Sequence, residues 1–337
     1  MDPITHGLIS VALDRAGLRR VSRNALAILV VAGVAPDLDL LSYFGGARAY
    51  FHYHYALLHS IAGAAILAFV IALIFWLVGR RNARAPLRFR RVLLLCAIGV
   101  AVHILLDVAG TDGAQLFWPF RMHWFSWDIL PGVDLWLLTI LLAGLLVPGL
   151  FHLVSEEIGA RKKRQGPSRG AMAALVLGAL YIGARAELHS TAVQLLLTHD
   201  YHGATPMVAG AFPDSASPLF WRGVVDTPNT IENVTVPLIG DEFDANSSRT
   251  HFKPARSPAL DAARNAPLAK QFLRYARFPL ANLDKLSDGY RVTLRDLRFP
   301  DDASTPDDLV AVINLDSHLA VRGQSIQFAA DAAKHTP

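Results

Sequence analysis

The chain has 337 residues, of which 53% are hydrophobic and only 18% are charged. This composition excludes an ordinary soluble enzyme and predicts several membrane spans. The formal net charge is +4, but the basic residues cluster in short loops between apolar runs, a pattern typical of membrane topology. We therefore expect no nucleic-acid partner. The single cysteine, Cys96, excludes a disulfide framework and a cysteine-rich zinc motif.

Five apolar runs are long enough to cross a bilayer, whose hydrocarbon core takes about 20 helical residues. They cover roughly residues 24–44, 57–79, 92–110, 129–154 and 171–197. Ahead of them, residues 4–18 fit either a helix that re-enters the bilayer or an amphipathic helix on its cytoplasmic surface. The predicted fold is mainly α, with about five transmembrane helices and this N-terminal helix in a membrane domain of residues 1–197.

The basic loops predict the orientation of these spans. Arginine and lysine crowd residues 15–23, 80–91 and 155–169, whereas the alternate loops carry only Arg48 and Arg121. The positive-inside rule then puts the basic loops in the cytoplasm. Residues 198–337 are left on the outer side, so we expect a multi-pass protein of the bacterial inner membrane with a periplasmic C-terminal domain.

Residues 198–337 are predicted to form a small α+β domain outside the membrane. Strand-like composition marks residues 220–226, 232–238, 290–298, 309–316 and 325–328, and a helical pattern covers residues 259–277. Ser257 and Pro258 suit the N-cap and first position of that helix. We interpret the domain as a lid or substrate-selecting module over the outer mouth of the membrane domain. The alternative is a solubilising domain that does not contact the site.

Ionisable side chains inside or beside the spans carry the main functional signal. Burying such groups in a bilayer is costly unless they are paired, hydrated or bound to metal. On the predicted topology, three pairs converge on the outer face: Asp37 and Asp39, His54 and His59, and His103 and Asp107. Histidine and carboxylate ligands suit Zn²⁺, Mn²⁺ or Fe. The sequence therefore predicts one or two divalent ions at this face, with zinc as the first choice.

Each pair also has a simpler interpretation. His103 and Asp107 are spaced i,i+4, so they share a helix face, and a buried hydrogen-bonded pair is the alternative. Asp37 and Asp39 follow Pro36, and two carboxylates this close repel unless a cation neutralises them. For His54 and His59 the alternative is that they have no function, because histidines at a membrane interface are common. The convergence of all three pairs favours metal.

Several short motifs occur in a distinctive order over roughly residues 1–150. They are Thr5-His6, Pro36-Asp37-Leu38-Asp39, His54-x4-His59-Ser60, His103-x3-Asp107, Thr111-Asp112-Gly113 and Trp118-Pro119-Phe120. This series resembles the YdjM-type (DUF457) inner-membrane metal-dependent hydrolases. The resemblance implies hydrolase activity and adds His6 to the ligands. Tyr55, Ala56 and Leu58 depart from the family, which usually has Arg-Gly after the first histidine and Thr before the second.

We therefore predict a membrane-embedded hydrolase that cleaves a phosphoester or lipid-linked substrate with a metal-activated water. Asp39 or Asp107, if left uncoordinated, is the predicted general base. Membrane lipids and an amphipathic substrate are the expected partners. A metal-binding transporter or sensor and a non-catalytic scaffold are the competing functions. Transporters place polar groups at mid-membrane, so ligands crowded on one face favour an enzyme.

Four further polar residues are candidates for substrate binding: Asp134, Arg185, His199 and His202. Each again has a structural alternative. Asp134 suits the N-terminus of a helix, and Arg185 suits an ion pair with Glu187. The two histidines fit a solvated loop.

Overall fold

The computed structural model describes residues 1–81, 86–157, 167–240, 242–299 and 308–332. Its N-terminal part is helical and its C-terminal part is mainly antiparallel β-structure. The helices before residue 200 are α1 (Pro3–Ala16), α2 (Ala25–Val34), α3 (Ala47–Tyr53), α4 (Ile61–Gly79), α5 (Phe89–Ala109), α6 (Leu135–Glu157) and α7 (Arg169–Leu197). Parts of the predicted basic loops, residues 82–85 and 158–166, lie outside the described residues.

Four helical segments are long and apolar enough to cross a membrane. They are Ala25–Gly45, Ile61–Gly79, Phe89–Ala109 and Arg169–Leu197. The first joins α2 to a 3₁₀ segment, Ala35–Gly45, which begins where Pro36 has no amide hydrogen to continue the α-helical ladder. α6 is apolar over the shorter stretch Leu135–Pro148. The prediction of a mainly helical membrane part with several apolar helices is confirmed.

Small residues let the helices approach closely. A Cβ added at Gly99 of α5 would lie 3.0 Å from the Cβ of Ala32 in α2. One added at Gly33 would lie 2.2 Å from Ser10 Oγ of α1. Such stretches of small side chains are typical of helix contacts in membranes, where backbones pack without bulky residues between them. The backbone of α2 is therefore held near both α1 and α5.

α1 lies inside the bundle rather than on its surface. It contacts α2, α6 and α7, and Ile9 and Ala12 pack in a core with Leu106, Leu137 and Leu141. Its N-terminus is capped by Asp2, whose carboxylate accepts hydrogen bonds from the amide and hydroxyl of Thr5. Of the two interpretations of this segment, the structure favours the buried helix over the cytoplasmic surface helix.

One end of the bundle collects the predicted site residues. His6 is in α1 near its start and His59 lies just ahead of α4, whereas Asp37 follows α2 and Asp107 is in the last turn of α5. Because these side chains contact one another, the N-terminal ends of α1 and α4 meet the C-terminal ends of α2 and α5. We call this the site end of the bundle.

The C-terminal part contains two four-stranded antiparallel sheets, ordered β1-β2-β3-β4 and β5-β6-β7-β8. The strands are β1 (Val208–Pro213), β2 (Phe220–Asp226), β3 (Thr230–Pro237), β4 (Arg249–Phe252), β5 (Pro279–Leu286), β6 (Gly289–Asp296), β7 (Leu309–Asp316) and β8 (Val321–Phe328). All five predicted strands overlap these. β1, β4 and β5 were not predicted.

The single helix predicted over residues 259–277 is two helices, α8 (Pro258–Asn265) and α9 (Pro267–Tyr275). Ala266 between them is extended, with φ −60° and ψ 142°. The residue before a proline disfavours the α-helical conformation, so Pro267 ends one helix and begins the next. After β8 the chain forms a short helix, α10 (Ala329–Ala332).

The two sheets contact the site end of the bundle. Ala192 and Leu196, near the C-terminal end of α7, share a core with Trp221 and Val225 of β2. Tyr50 of α3 lies in the core formed by the second sheet with α8 and α9. The C-terminal part therefore lies beside the predicted site residues and is not a detached domain.

Candidate metal centre

His103 of α5 is oriented by a backbone carbonyl. Its Nδ1 lies 2.8 Å from the carbonyl oxygen of Gly33, so Nδ1 carries the hydrogen and Nε2 is left as an electron-pair donor. One helical turn later, Asp107 Oδ2 lies 2.9 Å from that Nε2. The i,i+4 spacing thus places both groups at the same point of the site end.

His59 approaches the same point from α4. Its Nδ1 lies 2.8 Å from Asp39 Oδ2, and its Nε2 lies 3.1 Å from His103 Nε2 and 3.0 Å from Asp107 Oδ2. Both histidines therefore have an acceptor behind Nδ1 and direct Nε2 inward. Two electron-pair donors that face each other at this distance repel, unless a proton or a cation lies between them.

His6 and Asp37 complete the cluster. His6 Nε2 lies 3.2 Å from Asp107 Oδ1, and its ring stacks on that of His103 with 3.9 Å between centroids. Asp37 Oδ1 lies 3.7 Å from His103 Nε2. The side chains form two overlapping groups in which all ligand atoms lie within 4.8 Å of one another: His6, His103 and Asp107, and Asp37, His59 and His103.

The cluster contains buried atoms without hydrogen-bond partners, namely His6 Nδ1, Asp37 Oδ2 and Asp107 Oδ2. Asp107 Oδ2 is within 3.0 Å of two ring nitrogens, yet the directions do not fit hydrogen bonds. Ligands of one zinc ion, each about 2 Å from it, stand about 3 Å apart. The spacing of the ligand atoms and the inward orientation of the His59 and His103 Nε2 atoms therefore fit a divalent metal. The Met1 amino group also lies 2.7 Å from Asp107 Oδ1.

Asp39 and His54 lie beside the two ligand groups. Asp39 accepts hydrogen bonds from His54 Nδ1 at 2.9 Å and from His59 Nδ1 at 2.8 Å. The amide of Tyr55 also donates to Asp39 Oδ2 at 3.0 Å. Neither Asp39 nor His54 belongs to the two ligand groups. With both oxygens engaged by neighbours, Asp39 lies behind His59 and orients its ring, as carboxylates do behind metal-binding histidines.

The turn after His54 has a strained backbone, and its Tyr55 amide donates a hydrogen bond to Asp39. Tyr55 has φ 57°, in the left-handed region that bulky side chains rarely adopt. Its amide bonds Asp39, and its carbonyl accepts a hydrogen bond from the Gln115 amide at 2.9 Å. Such strain persists only where surrounding contacts hold it and is frequent at functional sites.

Asp134 and Arg185, predicted as substrate contacts, have structural partners. Asp134 Oδ1 caps α6 by accepting the amides of Trp136 and Leu137, and the Tyr181 hydroxyl also donates to this carboxylate. Arg185 donates from Nε to the carbonyl of Ile129. Asp134 thus caps the N-terminus of α6, which is the structural role that the sequence offered as the alternative to substrate binding.

The ion pair between Arg185 and Glu187 does not form. Residues i and i+2 of a helix do not face each other, and Arg185 is buried while Glu187 is exposed. The guanidinium of Arg185 lies instead 4.8 Å from the ring centre of Trp221. Arg185 therefore joins α7 to the first sheet.

His199 and His202 contact other partners than the metal centre. His199 Nδ1 lies 2.8 Å from the carbonyl oxygen of Leu195. His202 is exposed, and its Nε2 lies 3.3 Å from Ser248 Oγ. Neither histidine belongs to the ligand groups.

Two arginines of the C-terminal part reach the loop between α5 and α6, and the sequence patterns did not reveal them. Arg277 Nη1 bonds Asp128 at 2.6 and 2.7 Å, and Arg298 Nη1 bonds the carbonyl of Thr111 at 3.1 Å. These contacts join positions 149 and 187 residues apart, so no local spacing could have indicated them. Asp112, beside Thr111, belongs to the Thr111-Asp112-Gly113 motif.

The site residues fall in the part of the chain that matches a known family. The YdjM inner membrane protein family matches residues 1–191, which is more than half of the 337 residues and includes both ligand groups. No curated protein and no solved structure matches the chain. The chain belongs to the YdjM inner membrane protein family.

Proposed function

We propose that this protein is a membrane-embedded, metal-dependent hydrolase whose centre faces the periplasm. The observation that carries the proposal is the convergence of five ligand residues, four of them buried and three of them with an unpaired side-chain atom: His6, Asp37, His59, His103 and Asp107. Zinc is the leading candidate because mixed histidine and carboxylate sites suit it, and the two overlapping groups leave room for one ion or two.

Each part of the cluster has a defined role in this proposal. A bound divalent ion supplies an activated water and polarises the scissile bond. The carbonyl of Gly33 holds His103, and Asp39 holds His59, in the orientation that directs Nε2 inward. Asp37 is the least buried of the five, with 15% of its side chain exposed, and its Oδ2 has no partner. We assign it the task of accepting the proton of the attacking water.

The proposed substrate is a phosphoester that is amphipathic or linked to a lipid. The ligands lie at the ends of apolar helices, where a lipid headgroup meets the protein, and the C-terminal part contacts that same end. The basic loops belong to the opposite helix ends, which favours the periplasmic orientation.

Transport is a weaker explanation of the same ligands. A transport path needs polar groups through the membrane. α2 and α4 contain no ionisable residue along their lengths. The ionisable groups of the cluster are therefore confined to one end, as expected for an enzyme at the membrane surface.

The test combines metal analysis with a hydrolysis screen on the full-length protein in detergent. We expect the wild type to retain one or two equivalents of metal and to cleave at least one water-soluble or lipid phosphoester. His59→Ala should lose at least one equivalent of metal and the cleavage, because it removes a ligand of one group. His318→Ala, which removes an exposed histidine in the C-terminal part, is the matched control and should keep both.

Two results contradict the proposal. Wild-type protein that retains no more metal than His59→Ala has no such centre. Wild-type protein that retains metal, but cleaves none of the phosphoesters at a rate above that of His59→Ala, is not this hydrolase.

A further inference from the structure

A cleft of about 520 Å³ separates the loop between α5 and α6 from the C-terminal part. Thr111, Asp112 and Gly132 line it from the loop, and Trp221, Arg222 and Arg298 line it from the other side. This volume is within the range of pockets that hold small ligands. The cleft is thus a pocket between two parts of the molecule.

Arg298 is a buried cation with donors left over. It is only 2% exposed. Its Nη1 bonds the carbonyl of Thr111 at 3.1 Å, and its Nε lies 3.3 Å from Asp296 Oδ2 at an angle that does not make a hydrogen bond. Nη2 has no partner. Asp296 is itself engaged by the backbone amides of Arg277, Phe278 and Arg298. A guanidinium cannot lose its charge in a protein, so its unpaired donors favour an acceptor.

The other unpaired polar atoms around the cleft are also hydrogen-bond donors. Among the described lining residues, the buried side-chain atoms without partners are Arg298 Nε, Arg298 Nη2 and Trp221 Nε1, all of them donors. Arg185, whose guanidinium lies over the Trp221 ring, also has an unpaired Nη2. The two acidic residues of the lining, Asp112 and Asp214, have partners of their own. The cleft therefore suits a ligand rich in acceptor oxygens.

The cleft adjoins the metal centre. Thr111 and Asp112 follow α5 directly, four and five positions after Asp107. On the other side, the carbonyl of Gly132 accepts a hydrogen bond from the amide of Asp2, four positions before His6. The cleft is thus lined by residues that follow Asp107 closely in the chain, although none of the five ligand residues is part of its lining.

We propose that this cleft binds the phosphate group of an anionic ester, with Arg298 as its charged contact and Trp221 as a second donor. The choice of phosphate rests on the proposed function, whereas the anion site itself rests on the unpaired donors. Arginine offers a planar pair of donors that matches phosphate oxygens. A lipid headgroup and a free phosphate compound share this chemistry.

The test measures phosphate binding without metal, so that it does not depend on catalysis. Full-length protein in a phosphate-free detergent is treated with chelator and titrated with inorganic phosphate and with glycerol 1-phosphate by calorimetry. We expect Arg298→Gln to weaken binding by at least about tenfold, since hydrogen bonds to charged groups contribute about 1.5–3 kcal/mol, and Arg298→Lys to weaken it less. Arg291→Gln removes an exposed arginine that bonds Asn314 and should bind like the wild type.

A second variant covers the case in which Arg298→Gln does not fold. A Cβ added at Gly132 meets no atom within 4 Å, so Gly132→Leu adds volume at the cleft while leaving Arg298 intact. It too should weaken phosphate binding. A third arm adds phosphatidic acid to the micelles. Displacement of glycerol 1-phosphate indicates a lipid headgroup as the ligand, and lack of displacement indicates a soluble phosphate compound.

The proposal is overturned if metal-free wild-type protein binds neither phosphate nor its ester, or if the folded variants at Arg298 and Gly132 bind as tightly as the wild type. Phosphate binding that persists in His59→Ala supports the cleft even if the hydrolase proposal fails. Loss of hydrolysis alone leaves this binding result unchanged.

Discussion

Two buried carboxylates, Glu232 of the C-terminal part and Asp107 of the membrane bundle, have different surroundings. Glu232 of β3 is 1% exposed, and the hydroxyls of Ser248 and Thr250 both donate to its Oε2 at 2.8 Å. Asp107 of α5 is 2% exposed; Met1 and His6 contact its Oδ1, but its Oδ2 has no hydrogen-bond partner among the described residues. A buried polar group without a partner is costly. The satisfied carboxylate thus indicates a structural role, and the unsatisfied one indicates a place for a cation.

Asp39 is intermediate between Glu232 and Asp107, and its substitution has the largest expected effect. Its oxygens are satisfied, but by the histidines of the site. Asp39→Asn keeps the shape and removes the charge behind His59, so we expect metal affinity to fall about 10–100-fold with the protein still folded. Metal content under competition with a chelator measures this.

Asp134→Asn is the matched control for Asp39→Asn. It changes another buried aspartate of the bundle, one that caps α6 and lies outside the ligand groups, and asparagine caps helices about as well as aspartate. Equal metal affinity in Asp39→Asn and wild type would show that Asp39 belongs with the structural carboxylates.

Contacts that join the two regions should give an intermediate effect. Arg277 bonds Asp128, whose side chain is only 4% exposed, so Arg277→Gln leaves a buried carboxylate without its charged partner. We expect the free energy of unfolding to fall by about 1–3 kcal/mol, measured by denaturant unfolding in detergent. Arg322→Gln breaks an exposed pair with Asp288 and should change stability by less than about 1 kcal/mol. Equal effects would mean that the Asp128 contact does not stabilise the docking of the C-terminal part.

The smallest effect is expected at Glu232, and it depends on pH. Burial works against ionisation of this carboxyl, but the hydroxyls of Thr230, Thr250 and Ser248 outweigh burial and hold the pKa of Glu232 below its ordinary value of 4.5. A lowered folded-state pKa stabilises the fold above the unfolded-state pKa, and this contribution is lost as the pH falls through the folded-state pKa.

Glu232→Gln should therefore cost about 1 kcal/mol at neutral pH and progressively less as the pH falls below 4.5. Thermal unfolding of both proteins over a pH series measures the difference. Glu242→Gln, at an exposed position, should show no such trend. A cost for Glu232→Gln that does not change with pH would show that the pKa of Glu232 is the same in the folded and the unfolded protein.

Much of the membrane part and of the candidate site could be predicted because both depend on local patterns. Apolar runs of about 20 residues specify helices wherever water is excluded, and ionisable residues inside such runs stand out whatever the packing. The i,i+4 spacing of His103 and Asp107 alone places them on one face. The strands were harder to predict, because β4 has four residues and pairs through contacts distant in sequence.

By itself, the sequence determined the membrane class, the apolar helices and the set of residues from which a metal centre is built. Only the tertiary structure decided which of these residues face one another in the cluster and which lie behind it. It put His6 beside Asp107, directed the Nε2 atoms of His59 and His103 inward, and put Asp39 behind His59. It also brought Arg298 to the loop after α5. These outcomes depend on the directions of hydrogen bonds between distant segments, which no spacing along one segment can specify.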